Sequence, residues 1–174
     1  MVLTICRKVF NTIVMFDSSR KRYRFRVVIP AYPAFNIYSS VAKITTALGP
    51  VCVASVVDKM EKWDAEVIDE NNLSRYGPSS NEGGADHRLL QRLRPADVVG
   101  LYGGLTSTVP RLYKVARFYK EKGVITIAGG QHFVEDNIAE GLHNGIDYIV
   151  IDEGEETIKD LLAAIVNKRD VSSI

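Results

Sequence analysis

The chain has 174 residues, enough for one domain with a real core, and its 46% hydrophobic and 25% charged content is ordinary for a globular protein. A formal net charge of +1 gives no electrostatic argument for nucleic acid or an acidic membrane surface as partner. Two distant cysteines, Cys6 and Cys52, exclude a disulfide framework, a zinc ribbon and a three-cysteine cluster site and fit a reducing cytoplasm, and no apolar run approaches the roughly 20 residues of a membrane span.

Residues 1–24 read as a poorly ordered leader. Met1 to Phe16 is apolar but broken by Arg7 and Lys8, without a small-residue cleavage site, and Met15 is a candidate initiator. The basic cluster Arg20 to Arg24 lacks the amphipathic helix of a membrane-surface anchor. Arg26 to Pro30 is expected as the first strand, closed by proline. A Pro- and Tyr-rich loop follows, then a brief helix over Val41–Leu48. A second helix over Pro50–Lys62 buries Val51, Val53, Ala54, Val57 and Met60. Ala65–Asp69 is the second strand. The stretch 71–85, with Gly77-Pro78 and Gly83-Gly84, reads as a mobile surface loop.

Asp86 is a candidate N-cap for a helix to Leu93, and His87 beside it reads as a solvated helix-start residue. Asp97–Tyr102 is a central strand by its apolar continuity. A helix from Pro110 to Lys122 buries Leu112, Val115, Ala116 and Tyr119 and stops at Gly123. Val124–Ala128 is the fourth strand, and a helix over Val134–Leu142 follows it. His143 lies near that helix's C-terminus, where a cation is favoured. Asp147–Ile151 is the fifth strand, and the last helix spans Glu156–Asn167. Strands alternating with helices at this spacing mean right-handed βαβ units, so the expected fold is α/β: a five-stranded parallel sheet, doubly wound, of flavodoxin-like order.

In such a sheet ligands bind outside the carboxyl ends of the strands. Three small or polar loops fall there: Gly103 to Thr108, Gly129 to His132, and Asp152 to Thr157. Glycines let backbone approach a ligand, and Thr106, Ser107 and Thr108 offer short hydroxyls. Glu153, Glu155 and Glu156 read as first-turn acids complementing a helix dipole rather than a metal cluster, and Trp63 as a packing residue. Several common chemistries do not fit. Pro30-Ala31-Tyr32-Pro33 follows the first strand, where a dinucleotide fold needs Gly-x-Gly-x-x-Gly and a flavodoxin a phosphate loop. There is no Walker loop and no Gly-x-Ser-x-Gly elbow. A receiver domain needs clustered acids after strand one and an Asp ending strand three, where Pro30 and Tyr102 stand.

Asp97-Val98-Val99-Gly100-Leu101 with its small-residue loop, Ala128-Gly129-Gly130-Gln131-His132, and Gly154-Glu155-Glu156-Thr157 together resemble the cobalamin (vitamin B12)-binding domain. More narrowly, they resemble the version N-terminal to the catalytic domain of cobalamin-dependent radical SAM proteins. That version has a Gly-Gly-Pro-His turn after strand four and a Gly-Glu-Gly-Glu-Glu-Thr turn after strand five. The resemblance spans about 25–174. It implies a corrin over the carboxyl edge, with its nucleotide tail tucked into the domain. Gly129 and Gly130 would let the tail approach, and Gln131 and His132 would flank the cofactor. Tyr102, Gly103, Gly104, Leu105, Thr106, Ser107 and Thr108 would contact the tail and corrin amides, and Glu153, Gly154 and Glu155 would form a third wall.

One loop and four single positions depart from the family patterns. The Asp-x-His-x-x-Gly loop of other cobalamin carriers is replaced by Ala31-Tyr32-Pro33-Ala34-Phe35, implying a base-off cofactor with no His ligand to cobalt. Tyr102 stands for the family's Ser, Gly104 for its Leu, Gln131 for Pro and Asp152 for Gly.

The expected organisation is therefore a leader (1–24), a cobalamin-binding-like domain (25–167) and the start of a linker (168–174) to an absent catalytic domain. That domain, in cis or trans, would hold S-adenosylmethionine and a 4Fe-4S cluster, and this chain alone would catalyse nothing. The competing expectations are a cobalamin-free docking module with the same fold and a small-molecule enzyme, for which no nucleophile–base pair can be argued.

Overall fold

The computed structural model describes residues 5–7, 22–33, 38–42, 44–73, 78–81, 83–171 and 174, with the side chains of 5–7 and 38–39 left aside. The elements are β1 (Ile5–Arg7), β2 (Tyr23–Ile29), α1 (Tyr38–Ala42), α2 (Leu48–Asp58), β3 (Trp63–Asp69), α3 (His87–Leu93), β4 (Val98–Tyr102), α4 (Val109–Glu121), β5 (Ile125–Gly129), α5 (Glu135–His143), β6 (Tyr148–Val150) and α6 (Gly154–Val166). The sheet order is β1-β6-β5-β4-β2-β3. β2 to β6 are all parallel, in the flavodoxin-like order expected. Ile5–Arg7 adds a sixth strand that the sequence reading does not contain, antiparallel on β6.

Period-two alternation assigns the two faces. Phe25 and Val27 of β2, Val98 of β4, Ile125 and Ile127 of β5, and Tyr148 and Val150 of β6 point one way, against Ala54 and Val57 of α2 and Ile158, Leu161 and Leu162 of α6. Val28, Val99, Leu101, Ala128 and Ile149 point the other way, against Leu112, Tyr113, Val115, Ala116 and Tyr119 of α4. Ile68 of β3 meets Leu90 of α3 on that second side. The helices α4 and α6 therefore bury the stripes their spacing defines, and α/β layering follows.

β2 begins at Tyr23, inside the expected leader, because Tyr23 packs against Trp63 with ring centroids 5.2 Å apart and both rings are buried. Arg22 ion-pairs with Asp64 at 2.7 Å. The first short helix is Tyr38–Ala42 rather than Val41–Leu48, and Val51 of α2 is 38% exposed rather than in the core. In the loop 71–85, residues 74–77 and 82 lie outside the described set. The rest closes on an isolated bridge between Ser79 and Ala85, with Ala85 buried. Asp86 caps α3 as expected, its Oδ1 accepting from Leu89 N at 2.8 Å. Gly123 ends α4 with φ 72°. No helix among the described residues is long and apolar enough to cross a membrane.

Candidate functional site at the carboxyl edge

The chain reverses its direction of travel across the sheet between β2 and β4, so the crevice of this fold lies at their carboxyl ends. An apolar slot of about 210 Å³ opens there and runs down between the sheet and helices α2 and α6. Its floor is a consequence of one missing side chain. Gly100 pairs in register with Val27 on one side and Ile127 on the other, and all three line the slot. A Cβ on Gly100 would lie 2.8 Å from Phe25 Cζ. Pro50 and Val53 of α2 and Ile158 of α6 form the far wall.

The mouth is made of glycines and acids. Gly129 and Gly130 end β5, and Gly154 opens α6. Gly130 has φ 115°, and a Cβ there would lie 2.7 Å from Gly103 O, so no other residue fits without moving backbone. Asp152, Glu153 and Glu155 stand at the rim, and among the described residues no Lys, Arg or His lines the slot. Asp152 takes φ 66°, the left-handed region in which glycine is at ease.

Of the residues expected to bind, Tyr102, Gly129, Gly130, Glu153, Gly154 and Glu155 meet in this slot. The Gly103 loop does other work. Gly103 N donates to Gly129 O at 2.8 Å and Gly103 O accepts from His132 N at 2.9 Å, so this residue stitches two loops together. Thr106–Thr108 is a 3-10 turn in which Thr108 Oγ1 donates to Leu105 O at 2.8 Å. Gly104, Leu105 and Thr108 line a second cavity of about 180 Å³, with Tyr32, Thr46, Asp69 and Asn71. Ser107 belongs to neither cavity, and Gln131 is exposed outside the slot. His132 is buried: Nδ1 lies 3.4 Å from Thr106 Oγ1, and Nε2 has no hydrogen-bond partner among the described residues. It lines neither cavity.

A second cluster escaped the sequence reading. His87 is not a solvated helix-start residue: it is 7% exposed, with Nδ1 2.9 Å from Tyr119 Oη and Nε2 3.0 Å from Glu70 Oε1. Arg111 donates to both Glu70 oxygens, at 2.9 and 2.5 Å, and Glu70 also accepts from Ala31 N and Ala85 N. Burial alone would raise the Glu70 pKa. The hydrogen bonds and charges of Arg111 and His87 outweigh it and hold the group at about 2, against an ordinary 4.5. Arg26, fully buried, joins Tyr119 Oη at 2.8 Å to Glu66 at 2.7 Å. Among the described residues no group of three His, Cys, Asp or Glu side chains could hold a metal ion.

The comparisons with known proteins fit this geometry. The B12 binding domain pattern matches residues 37–162. The chain belongs to the B12-binding domain family. No curated protein matches it. Among solved structures, the crystal structure of a protein described as pilus assembly-related from Burkholderia pseudomallei superimposes with a TM-score of 0.50 and 11% identity, covering 91% of this chain and 97% of that one. That likeness shows the fold alone.

Proposed function

We propose that this B12-binding domain holds cobalamin base-off, with the nucleotide tail in the Gly100-floored slot and the corrin over the carboxyl edge. The observation that carries the reading is the slot itself, at the crevice of the fold and inside the stretch matched by the family. Its size supports a tail rather than a whole macrocycle, since pockets for complete drug-sized ligands are roughly 300–1,000 Å³. Its walls support a flat heterocycle: Val27, Val53, Ile127 and Ile158 are apolar, and glycines bring the backbone of β4 and β5 close. At the rim, Glu153 and Glu155 line the slot and would accept hydrogen bonds from amide groups on the corrin periphery. The bound cofactor would supply a cobalt centre for group transfer, and the chain's own residues bind and orient it.

The finer reading is a cofactor module of a radical SAM-type enzyme, working in the cytoplasm with a catalytic domain in cis or trans that carries S-adenosylmethionine and a 4Fe-4S cluster. Its support is the Gly154-Glu155-Glu156-Thr157 turn, where Gly154 opens α6 at the slot mouth and Thr157 is buried with Oγ1 donating to Glu153 O at 3.1 Å. One observation favours a docking module instead: Val41, Ile44 and Leu48 stand 52%, 83% and 74% exposed beside the crevice.

The test is a visible spectrum after mixing with hydroxocobalamin and desalting, run beside cobinamide, which lacks the nucleotide tail. The protein should retain hydroxocobalamin and lose cobinamide. Val53→Trp, which fills the slot from α2, should abolish retention with the far-UV circular dichroism unchanged. Folded wild-type protein that keeps no corrin would sink the cobalamin reading and leave the docking module. Equal retention of cobinamide would sink the tail slot.

A further inference from the structure

We infer that Tyr102 is the specificity-determining wall of the slot, and that it leaves the slot open because residue 104 is glycine. This deepens the cobalamin reading and rests on it. Tyr102 ends β4, and it lines both carboxyl-edge cavities, the apolar slot of about 210 Å³ and the polar cavity of about 180 Å³. Tyr102 is the residue that the two linings share. The ring is laid on the backbone of Gly104: a Cβ at 104 would stand 2.5 Å from Tyr102 Cε1 and Cζ and 2.6 Å from Oη.

Backbone conformation does not call for glycine at 104. Its φ is not positive, so the backbone suits an L-residue, and the three atoms nearest to such a Cβ all belong to the Tyr102 ring. The ring is the far end of a side chain with two free torsions, so a methyl group at 104 displaces it rather than unfolding the strand. Displaced, it must turn into one of the two cavities it borders. The two residues thus form a compensated pair: a large side chain at 102 occupies the volume given up at 104. The predicted ligand class follows. A ring wall on one side and Gly100 on the floor restrict the slot to the planar heterocyclic end of a nucleotide tail, and keep that tail out of the polar cavity bordered by Asp69 and Asn71.

The experiment is a double-mutant cycle with Gly104→Ala, Tyr102→Ser and the pair together, read by hydroxocobalamin affinity and by Tm without ligand. Gly104→Ala alone should weaken cobalamin binding by about tenfold or more, the scale of a modest overpacking, and lower Tm. In the Tyr102→Ser background the same alanine should cost neither affinity nor Tm. Tyr102→Ser alone should let the protein retain corrinoids with a bulkier, ring-extended tail base that the wild type releases. If Gly104→Ala binds cobalamin like wild type, or if its effects persist unchanged with Ser at 102, the pair is refuted while the cobalamin reading stands. If the wild type binds no cobalamin, both fall together.

Discussion

On the α3/α4 side of the sheet, Arg26 projects from the middle of β2 into a space closed by Tyr119, Glu66 and the Leu90 carbonyl, and it is fully buried there. On the α2/α6 side, one strand away, Gly100 projects nothing, and the gap between Val27 and Ile127 becomes a slot. Both faces come from the same strands and the same alternation. One face carries a buried polar network, running Glu66–Arg26–Tyr119–His87–Glu70–Arg111 without a break, while Tyr113 Oη on α4 has no hydrogen-bond partner among the described residues. The other has almost no polar side chains until the rim. A network satisfied internally has no hydrogen-bonding capacity left for a ligand, and moving any member leaves another unpaired. An apolar slot has the opposite property: its residues cost little to separate from water and gain by being covered. The α3/α4 face is therefore read as structural, and the α2/α6 face as the one that meets a ligand.

The largest break in that contrast should come from Glu70. Glu70→Ala leaves the Arg111 guanidinium, His87 and the amides of Ala31 and Ala85 without their acceptor, and should cost about 3–5 kcal/mol in urea unfolding. The sign with pH is set by a depressed pKa. A Glu at about 2 in the folded chain and near 4.5 in the unfolded one contributes stability that is whole above pH 4.5 and lost as pH falls toward 2. Wild-type stability should drop by roughly 3 kcal/mol across that window, and the drop should shrink markedly in Glu70→Ala. Cobalamin retained per folded molecule should be unchanged by the substitution. A variant that stays stable but releases cobalamin would contradict the division of labour between the faces.

A smaller effect is expected from Gly100→Ala on the opposite face. Its new methyl would meet Phe25 Cζ at 2.8 Å, and Phe25 is 1% exposed, with little room to yield. Overpacking of this kind costs about 1–3 kcal/mol, partly offset by the conformational entropy that alanine saves. Here the ratio of effects reverses. Stability should fall modestly while cobalamin affinity falls steeply, because the methyl raises the floor of the slot. Equal, small losses in both would mean that Gly100 only packs.

These contrasts explain what could be read from the residues and what could not. Strand alternation, the Gly129-Gly130 pair and the Gly154 turn are local signals, and they located the sheet, its order and the slot mouth. The slot floor is also legible in part, since a glycine inside the apolar run 98–101 marks a close approach, although nothing local tells a slot from tight packing at Gly100. The burial of His87 is not legible locally, because Asp86-His87 has the sequence of a solvated helix start. Its burial depends on Tyr119 and Glu70, 32 and 17 residues away. Arg26 was hidden for the same reason, since a charge in a strand can be judged only once its partners are known. The hydroxyls of the Gly103 loop were read as ligand contacts, but Thr108 is used by its own turn, a choice that depends on backbone geometry. The coupling of Tyr102 with Gly104 needed the ring's position and could not come from either residue alone.

The finest test concerns Asp152 at the slot mouth, where backbone and charge make opposite demands. Its φ of 66° costs an ordinary L-residue about 1–2 kcal/mol, and Asp tolerates it better than most. Glycine removes that cost but gives back flexibility to the unfolded chain, worth about 0.4–1 kcal/mol. Asp152→Gly should therefore change stability by no more than about 0.5 kcal/mol, whereas Asp152→Val, β-branched and in the same conformation, should lose about 1–2 kcal/mol. Asp152→Asn separates the remaining possibility, because it keeps the tolerance for positive φ and removes only the charge. If Asp152→Asn and Asp152→Gly both bind cobalamin like wild type, the aspartate is there for its backbone. If both bind more tightly, its charge at the rim opposes the phosphodiester of the tail, and the acid rather than the fold restrains the affinity of this face.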